Sequence, residues 1–192
     1  MPRFVLLLRG VNVGKGKRLP MAALKAILEG LGCTEVKTVL NSGNAVFSSQ
    51  ELSATQLAAR IGAAIRDQLQ LSPTAIVKSA AELSAIIRAN PMQLPAEEHA
   101  RFLVAFAPDR QTLQHLHAIE PLVQTPERFV IGDEAAYLHC PNGLLQSKAG
   151  EALLGKAGKG VTTRNWATVL KLEALITGAA DLSTEPSAPS AC

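Results

Sequence analysis

The chain has 192 residues, 47% hydrophobic and 18% charged, a composition typical of a globular protein that buries a core without metal or disulfide crosslinks. Aromatic residues make up only 4%, which counts against single-stranded nucleic-acid domains that stack bases on aromatic rings. The cysteines, Cys33, Cys140 and Cys192, form no CxxC pair, which fits a reducing compartment. No apolar run approaches the ~20 residues of a membrane span, so we expect a cytoplasmic protein that does not associate with membranes.

Charge is unevenly distributed along the chain. The net charge of +3 combines +6 in residues 1–28, +4 in residues 146–172 and −7 in the remainder. If the fold brings the two basic segments together, they form one positive face that attracts phosphate or carboxylate. The alternative is a pair of unrelated solvated loops.

The first 90 residues predict the order strand, helix, strand, strand, helix, strand. An unbroken apolar run predicts a buried strand over 3–8. Apolar residues between Met21 and Leu31 recur at helical spacing and predict a helix. Short strands over 36–40 and 45–49 flank a turn, Ser53 caps a second helix, and 74–78 predicts a further strand. This order is typical of the split-βαβ, ferredoxin-like fold.

The pattern then begins again. A helix follows Ser79, residues 91–99 resemble a linker, and strands over 102–107, 129–131 and 135–140 surround a helix that begins at Pro108-Asp109. A short helix over 148–157 precedes a longer one with Thr162 or Thr163 as N-cap. We therefore predict an α+β fold of two ferredoxin-like subdomains related by duplication, residues 1–90 and 100–178. The second is expected to be incomplete, and the tail 179–192 to be disordered.

The loop over residues 9–18 is the first candidate site, because its glycines let backbone N–H groups and cations approach an anion. It lacks the spacing of a P-loop, since Lys15 and Gly16 stand where that motif needs glycine and serine or threonine. It does not match the dinucleotide-binding fingerprint either. A flexible connection with solubilising lysines is the alternative.

Two further polar motifs accompany this loop. The turn Asn41-Ser42-Gly43-Asn44 is rich in hydrogen-bonding groups, although a hairpin turn with no other role would have the same sequence. If β-strand one pairs antiparallel with strand three, Arg9 lies near Asn44. Arg164 and Asn165 are predicted in the first turn of a helix, where orphan N–H groups favour an anion.

Catalytic residues are not assigned, and the sequence leaves open whether the protein is an enzyme. The four histidines are scattered, and Cys33 and Cys140 lie in apolar contexts typical of inert buried thiols. No metal site and no cofactor are expected.

These motifs together resemble an uncharacterised bacterial family, domain of unknown function 1697. The resemblance runs from residue 3 to about 177, and Asn41 departs mildly from the glutamine expected before the turn. It implies two α+β subdomains related by duplication and no established activity. The matching residues are Arg9-Gly10-x-Asn12-Val13-Gly14, Met21, Gly32, Asn41-Ser42-Gly43-Asn44-x-Val46-Phe47, Ser147-Lys148 and Thr163-Arg164-Asn165-Trp166-x-Thr168-Val169-x-Lys171-Leu172.

Two hypotheses follow. In the first, the three polar segments converge on an anionic ligand, with a nucleotide or nucleic-acid phosphate as partner. In the second, the protein is a structural or protein-interaction module in which the same side chains lock the subdomains together. An open basic cleft favours the first, and buried, mutually paired groups favour the second. The predicted ligand-binding residues are Arg9, Gly10, Asn12, Gly14, Lys15, Ser42, Asn44, Arg164 and Asn165.

Overall fold

A computed structural model describes residues 1–12, 18–51 and 53–178. The predicted tail and the centre of the glycine-rich loop, with Gly14 and Lys15, lie outside these ranges. The strands are β1 (Arg3–Arg9), β2 (Thr34–Val39), β3 (Asn44–Ser48), β4 (Thr74–Ser79), β5 (Phe102–Phe106), β6 (Arg128–Ile131), β7 (Ala135–His139) and β8 (Thr162–Asn165). The α-helices are α1 (Met21–Gly30), α2 (Ala54–Leu69), α3 (Ala80–Arg88), α4 (Arg110–Gln114), α5 (Lys148–Leu154) and α6 (Trp166–Thr177). Three 3₁₀ segments, Ala96–Arg101, His115–Leu122 and Leu144–Gln146, complete the described elements.

Two antiparallel sheets share one topology. The first has the order β2-β3-β1-β4 and the second the order β6-β7-β5-β8, so the α+β fold of duplicated ferredoxin-like units is confirmed. We call the part from β1 to α3 the first unit and the part from β5 to α6 the second unit. The second unit is not incomplete, since β8 supplies its fourth strand by pairing with β5.

The units pack around a shared central core. Alternate β1 residues face opposite ways: Phe4, Leu6 and Leu8 contact the core beneath α1 and α2, whereas Val5 and Leu7 face inward. Helices α3 and α6 lie between the two sheets, and α6 contacts strands of both. Because each sheet is covered on both faces, its central strand is apolar throughout, as the run over 3–8 predicts.

The helix boundaries follow their capping residues, and several predicted boundaries need correction. Asn165, not Thr162 or Thr163, caps α6, because its Oδ1 accepts from Thr168 N at 2.9 Å. The helix predicted after Asp109 is α-helical only to Gln114 and continues as a 3₁₀ segment that contains Pro121. Helix α5 ends at Leu154 rather than 157.

Residues 91–99 connect the two units and are not a bare linker. Met92 is buried and Leu94 packs against the central core, and a 3₁₀ turn begins at Ala96. The division of the chain into 1–90 and 100–178 stays a prediction. In the described ranges, no helix has both the length and the apolar character needed to cross a bilayer.

Tyr137 joins the two units inside the central core. Its hydroxyl donates to Ile86 O of α3 at 2.6 Å, and burial raises its pKa to about 12. Tyr137→Phe leaves this carbonyl at the end of α3 without its partner, so we expect the free energy of unfolding to fall by about 1–2 kcal/mol in urea titrations. A loss below ~0.5 kcal/mol would show that the bond contributes nothing net.

Candidate functional site between the two units

The three polar segments meet at one cavity between the units. Its volume is about 400 Å³, and its lining combines the end of β1, the β2–β3 turn, β8 and the end of α5. Of the predicted site residues, Arg9, Gly10, Asn12, Ser42 and Arg164 line it. We call this cavity the inter-unit cleft.

Arg164 extends from β8 into the first unit. It lies on a strand, not in the first turn of a helix as the sequence suggests, because β8 pairs Arg164 with Val104. Its Nε donates to Asn44 Oδ1, and its Nη2 donates to Leu8 O at 2.7 Å and to Ser42 O at 3.0 Å.

The remaining Arg164 donors stay within its own strand. Nη1 donates to Thr162 Oγ1 at 2.9 Å and to Thr163 O at 2.7 Å. All five N–H groups of the guanidinium therefore have neutral protein acceptors. Desolvation by burial lowers the Arg164 pKa to about 10, so the side chain still carries its charge at neutral pH.

Arg9 makes the reciprocal connection. From the end of β1 its Nη1 donates to Gly158 O, and to Val161 O at 2.7 Å. Its Nη2 donates to Leu154 O at 2.7 Å and to Gly155 O at 3.1 Å. A guanidinium thus satisfies carbonyls that α5 leaves open at its C-terminus, where the helix dipole also favours a cation.

The cleft has two guanidinium groups and no internal counter-ion. Among the described residues, no carboxylate lies within ion-pair distance of Arg9 or Arg164, and none lines the cavity. Charges removed from water are normally paired, so this arrangement leaves a positive potential at the cavity.

The predicted asparagines have mainly structural positions. Asn44 is fully buried, donates to Val39 O at 3.1 Å and accepts from Arg164. Asn12 closes the base of the glycine-rich loop: its Oδ1 accepts from Leu19 N, and its Nδ2 donates to Leu19 O and Asn41 O. Asn165 caps α6 and does not line the cavity.

Sequence reasoning missed the acceptors at the end of α5. Leu154, Gly155, Gly158 and Val161 contact Arg9 only through backbone oxygens, which no residue type marks. The sequence therefore offers no signal for these acceptors.

His139 and Glu98 form the closest histidine–carboxylate pair in the described residues, and they lie outside the cleft. Nε2 and Oε2 are 2.9 Å apart, and His139 pairs with Phe102 at the far end of β5 from Thr162. Within 1–12, 18–51 and 53–178, no group of three or more His, Cys, Asp or Glu side chains is arranged to hold a metal ion.

The hydrogen bond from His139 lowers the pKa of Glu98 below its ordinary 4.5. Between the lowered pKa of Glu98 in the folded protein and its ordinary pKa in the unfolded chain, the folded state binds fewer protons than the unfolded chain. The stabilisation from ionised Glu98 is therefore fully present above the ordinary pKa and is lost as pH falls through the lowered pKa. We expect the free energy of unfolding of the wild type to fall more steeply than that of Glu98→Gln below pH 4.5. Urea titrations across this range measure both slopes, and equal slopes would contradict the assignment.

Comparison with solved structures gives the same architecture. The fold is similar to that of the conserved bacterial protein SP0830 from Streptococcus pneumoniae, with a TM-score of 0.74 and 24% identity, covering 91% of this chain and 98% of that chain. A search of the curated proteins finds no match. The sequence matches the family described as "Protein of unknown function (DUF1697)" over residues 1–137, well over half of its length. The resemblance to this family is thereby confirmed, and the chain belongs to the DUF1697 family.

Proposed function

We propose that the protein binds a small anionic ligand in the inter-unit cleft, with a phosphate or carboxylate group of the ligand facing Arg9 and Arg164. The observation that carries the proposal is that both guanidinium groups line one cavity and face only neutral acceptors. A cytoplasmic location is part of the proposal and is supported by Cys33 and Cys140, which are both free thiols.

An anion can bind without displacing the whole arginine network. The contact from Arg164 Nη2 to Ser42 O and those from Arg9 Nη2 to Leu154 O and Gly155 O lie on the exposed side of the cleft. A bond from a guanidinium to an oxyanion adds the attraction of two opposite charges, which a bond to a neutral carbonyl lacks. Exchange of one carbonyl for a ligand oxygen is therefore favourable at either arginine.

The size of the cleft indicates the class of ligand. A volume of about 400 Å³ falls within the ~300–1,000 Å³ of small-molecule sites and suits a mononucleotide or a smaller acid. A nucleic-acid strand uses an extended groove with aromatic platforms, whereas this cleft is compact and has no aromatic lining residue among those described. Nucleic acid is therefore the competing outcome of the test.

The test is a binding screen of the wild type with inorganic phosphate, AMP, citrate and a single-stranded oligonucleotide. Thermal shift detects binding, and heteronuclear NMR titration then measures the dissociation constants. We expect one of the small anions to bind, and Arg9→Gln to weaken it about tenfold or more. Arg60→Gln is the matched control, since Arg60 is exposed and donates only a 3.4 Å bond to Leu31 O.

Circular dichroism of Arg9→Gln verifies that the variant is folded before affinities are compared. Failure of every small anion to bind would overturn the proposal. So would equal binding by wild type and Arg9→Gln, because the anion would then lie elsewhere. Binding of the oligonucleotide alone would replace the small ligand with nucleic acid.

A second candidate is a structural or interaction module in which the arginines only join the two units. Its support is that every Arg164 N–H already has a protein acceptor. Sulfate stabilises folded proteins in general, so the informative quantity is the rise in thermal midpoint from chloride to sulfate in wild type compared with that in Arg9→Gln. Under this candidate the two rises are equal, whereas under anion binding the rise is larger in wild type.

A further inference from the structure

Because the two units are duplicated, the residues around Arg164 in the inter-unit cleft have equivalents elsewhere in the protein. Ser79 and Asn165 are equivalent, because each caps the last helix of its unit and each ends the strand before it. Ser79 pairs with Phe4 on β1, and Asn165 pairs with Leu103 on β5. This alignment fixes which residues of the two units correspond.

One residue before each cap is a cation, buried at Lys78 and half-buried at Arg164. Lys78 pairs with Val5 and Arg164 pairs with Val104, and both partners face the central core. The Lys78 side chain is 6% exposed. Lys78 is therefore the counterpart of Arg164, and each extends toward the other unit.

The hairpin turns that the two cations approach also correspond. Asn44 pairs with Leu7 and Ala135 pairs with Phe106, which are equivalent in the same alignment. The preceding residues, Gly43 and Glu134, then occupy matching places in the two turns. Lys78 lies 4.0 Å from Glu134 Oε2, as Arg164 lies near Ser42 O.

A smaller cavity of about 180 Å³ accompanies Lys78 and is lined in part by Lys78, Glu82, Asp109, Arg110, Asp133 and Glu134. Here the buried ammonium lies between two carboxylates, with Glu82 Oε1 at 3.8 Å and Glu134 Oε2 at 4.0 Å. The protein itself neutralises the cation in this unit. In the inter-unit cleft the corresponding turn offers only Ser42, Gly43 and Asn44, all neutral.

Backbone geometry prevents the β2–β3 turn from supplying a carboxylate at position 43. Gly43 has φ +72°, and a Cβ there would approach Val11 Cγ2 to 2.6 Å and Leu8 Cβ to 2.7 Å. A side chain equivalent to that of Glu134 has no space. The first unit therefore supplies no carboxylate to Arg164 at the turn position from which Glu134 reaches Lys78 in the second unit.

We infer that the ligand of the inter-unit cleft carries a terminal oxyanion, carboxylate or phosphate, that stands against Arg164 as the Glu134 carboxylate stands against Lys78. This inference depends on the proposed function and specifies the ligand group and its place. The rest of the ligand extends along the cleft toward Arg9 and Leu154, which also line it.

Ser42→Asp tests the inference by placing a tethered carboxylate on the turn beside Arg164. Ser42 is exposed and lines the cleft, so the substitution keeps the fold. We expect the variant to have a higher thermal midpoint without ligand, and to bind methyl phosphate and acetate about tenfold or more weakly than wild type in NMR titrations. Ser42→Asn is the matched neutral control, and it should weaken either anion much less than Ser42→Asp does.

The relative affinities of methyl phosphate and acetate identify the source of the oxyanion. Glu134→Gln alters only the counterpart cavity and leaves both affinities unchanged. If wild type binds neither anion, the proposed function itself fails. If wild type binds one of them and Ser42→Asp binds it equally well, cleft binding stands and the placement of the oxyanion against Arg164 is overturned.

Discussion

Arg164→Met should lower the free energy of unfolding by about 3–5 kcal/mol, the largest effect we expect of a single substitution in the cleft. The change removes the Arg164 donor from the buried Asn44 Oδ1, from Leu8 O, which keeps a longer bond from Thr162 Oγ1 at 3.4 Å, and from Ser42 O on the exposed side of the cleft. Each buried acceptor that loses its partner costs about 1–3 kcal/mol, and removing a desolvated charge offsets part of the sum. Urea titration followed by circular dichroism measures the loss.

Arg110→Met is the matched control for this substitution. Arg110 forms an ion pair with Asp133 at 3.1 Å, but both side chains are largely exposed, at 73% and 84%. An exposed pair contributes about 0–1 kcal/mol, so the control should remain close to wild type. Equal losses in the two variants would contradict the role of Arg164 in joining the units.

Gly43→Ala should lower the free energy of unfolding by about 2–4 kcal/mol. A left-handed φ of +72° costs an L-residue about 1–2 kcal/mol, and the new methyl group would overlap Val11 Cγ2 and Leu8 Cβ. Forcing extra volume into a packed site adds about 1–3 kcal/mol. Because Gly43 O also accepts from Leu8 N at 3.0 Å, any shift of the turn moves the wall of the cleft.

Gly62→Ala is the matched control for Gly43→Ala, and we expect it to raise rather than lower the free energy of unfolding. Gly62 lies inside α2, where a Cβ would meet only Ala75 Cβ at an ordinary 4.0 Å. Alanine is favoured over glycine in a helix interior by about 0.5–1 kcal/mol, so this variant should be more stable than wild type. Destabilisation by both substitutions to a similar extent would contradict the strain assigned to Gly43.

The sheets were predictable where a strand carries its own apolar signal. β1 is an unbroken apolar run because both of its faces are covered, and that pattern is visible in the residues alone. β8 consists of Thr162, Thr163, Arg164 and Asn165, which have no apolar periodicity. Its extended conformation depends on pairing with β5, some 60 residues earlier, so the local pattern suggested a helix start instead.

The proximity of Arg9 to the β2–β3 turn was also predictable from the sequence. Antiparallel pairing of β1 with β3 places Arg9 beside the turn that ends in Asn44, and the residue order alone implies that neighbourhood. The partners of the arginines were not predictable, because seven of their nine hydrogen bonds go to backbone carbonyls. A carbonyl is present at every residue, so sequence does not mark the ones a guanidinium will use.

The equivalence of Lys78 and Arg164 was hidden for a related reason. Their flanking sequences differ, and the correspondence appears only when Ser79 and Asn165 are superposed as helix caps at matching strand positions. Duplicated units can preserve the place of a charge while changing its neutralising partner.

The most direct test of anion binding in the inter-unit cleft is X-ray diffraction from crystals of the full chain soaked in selenate, using the anomalous signal of selenium. We expect a peak within hydrogen-bond distance of Nη2 of Arg9 or Arg164, and loss of that peak in crystals of Ser42→Asp. Selenate peaks confined to other surfaces, with the cleft empty in wild-type crystals, would contradict the account.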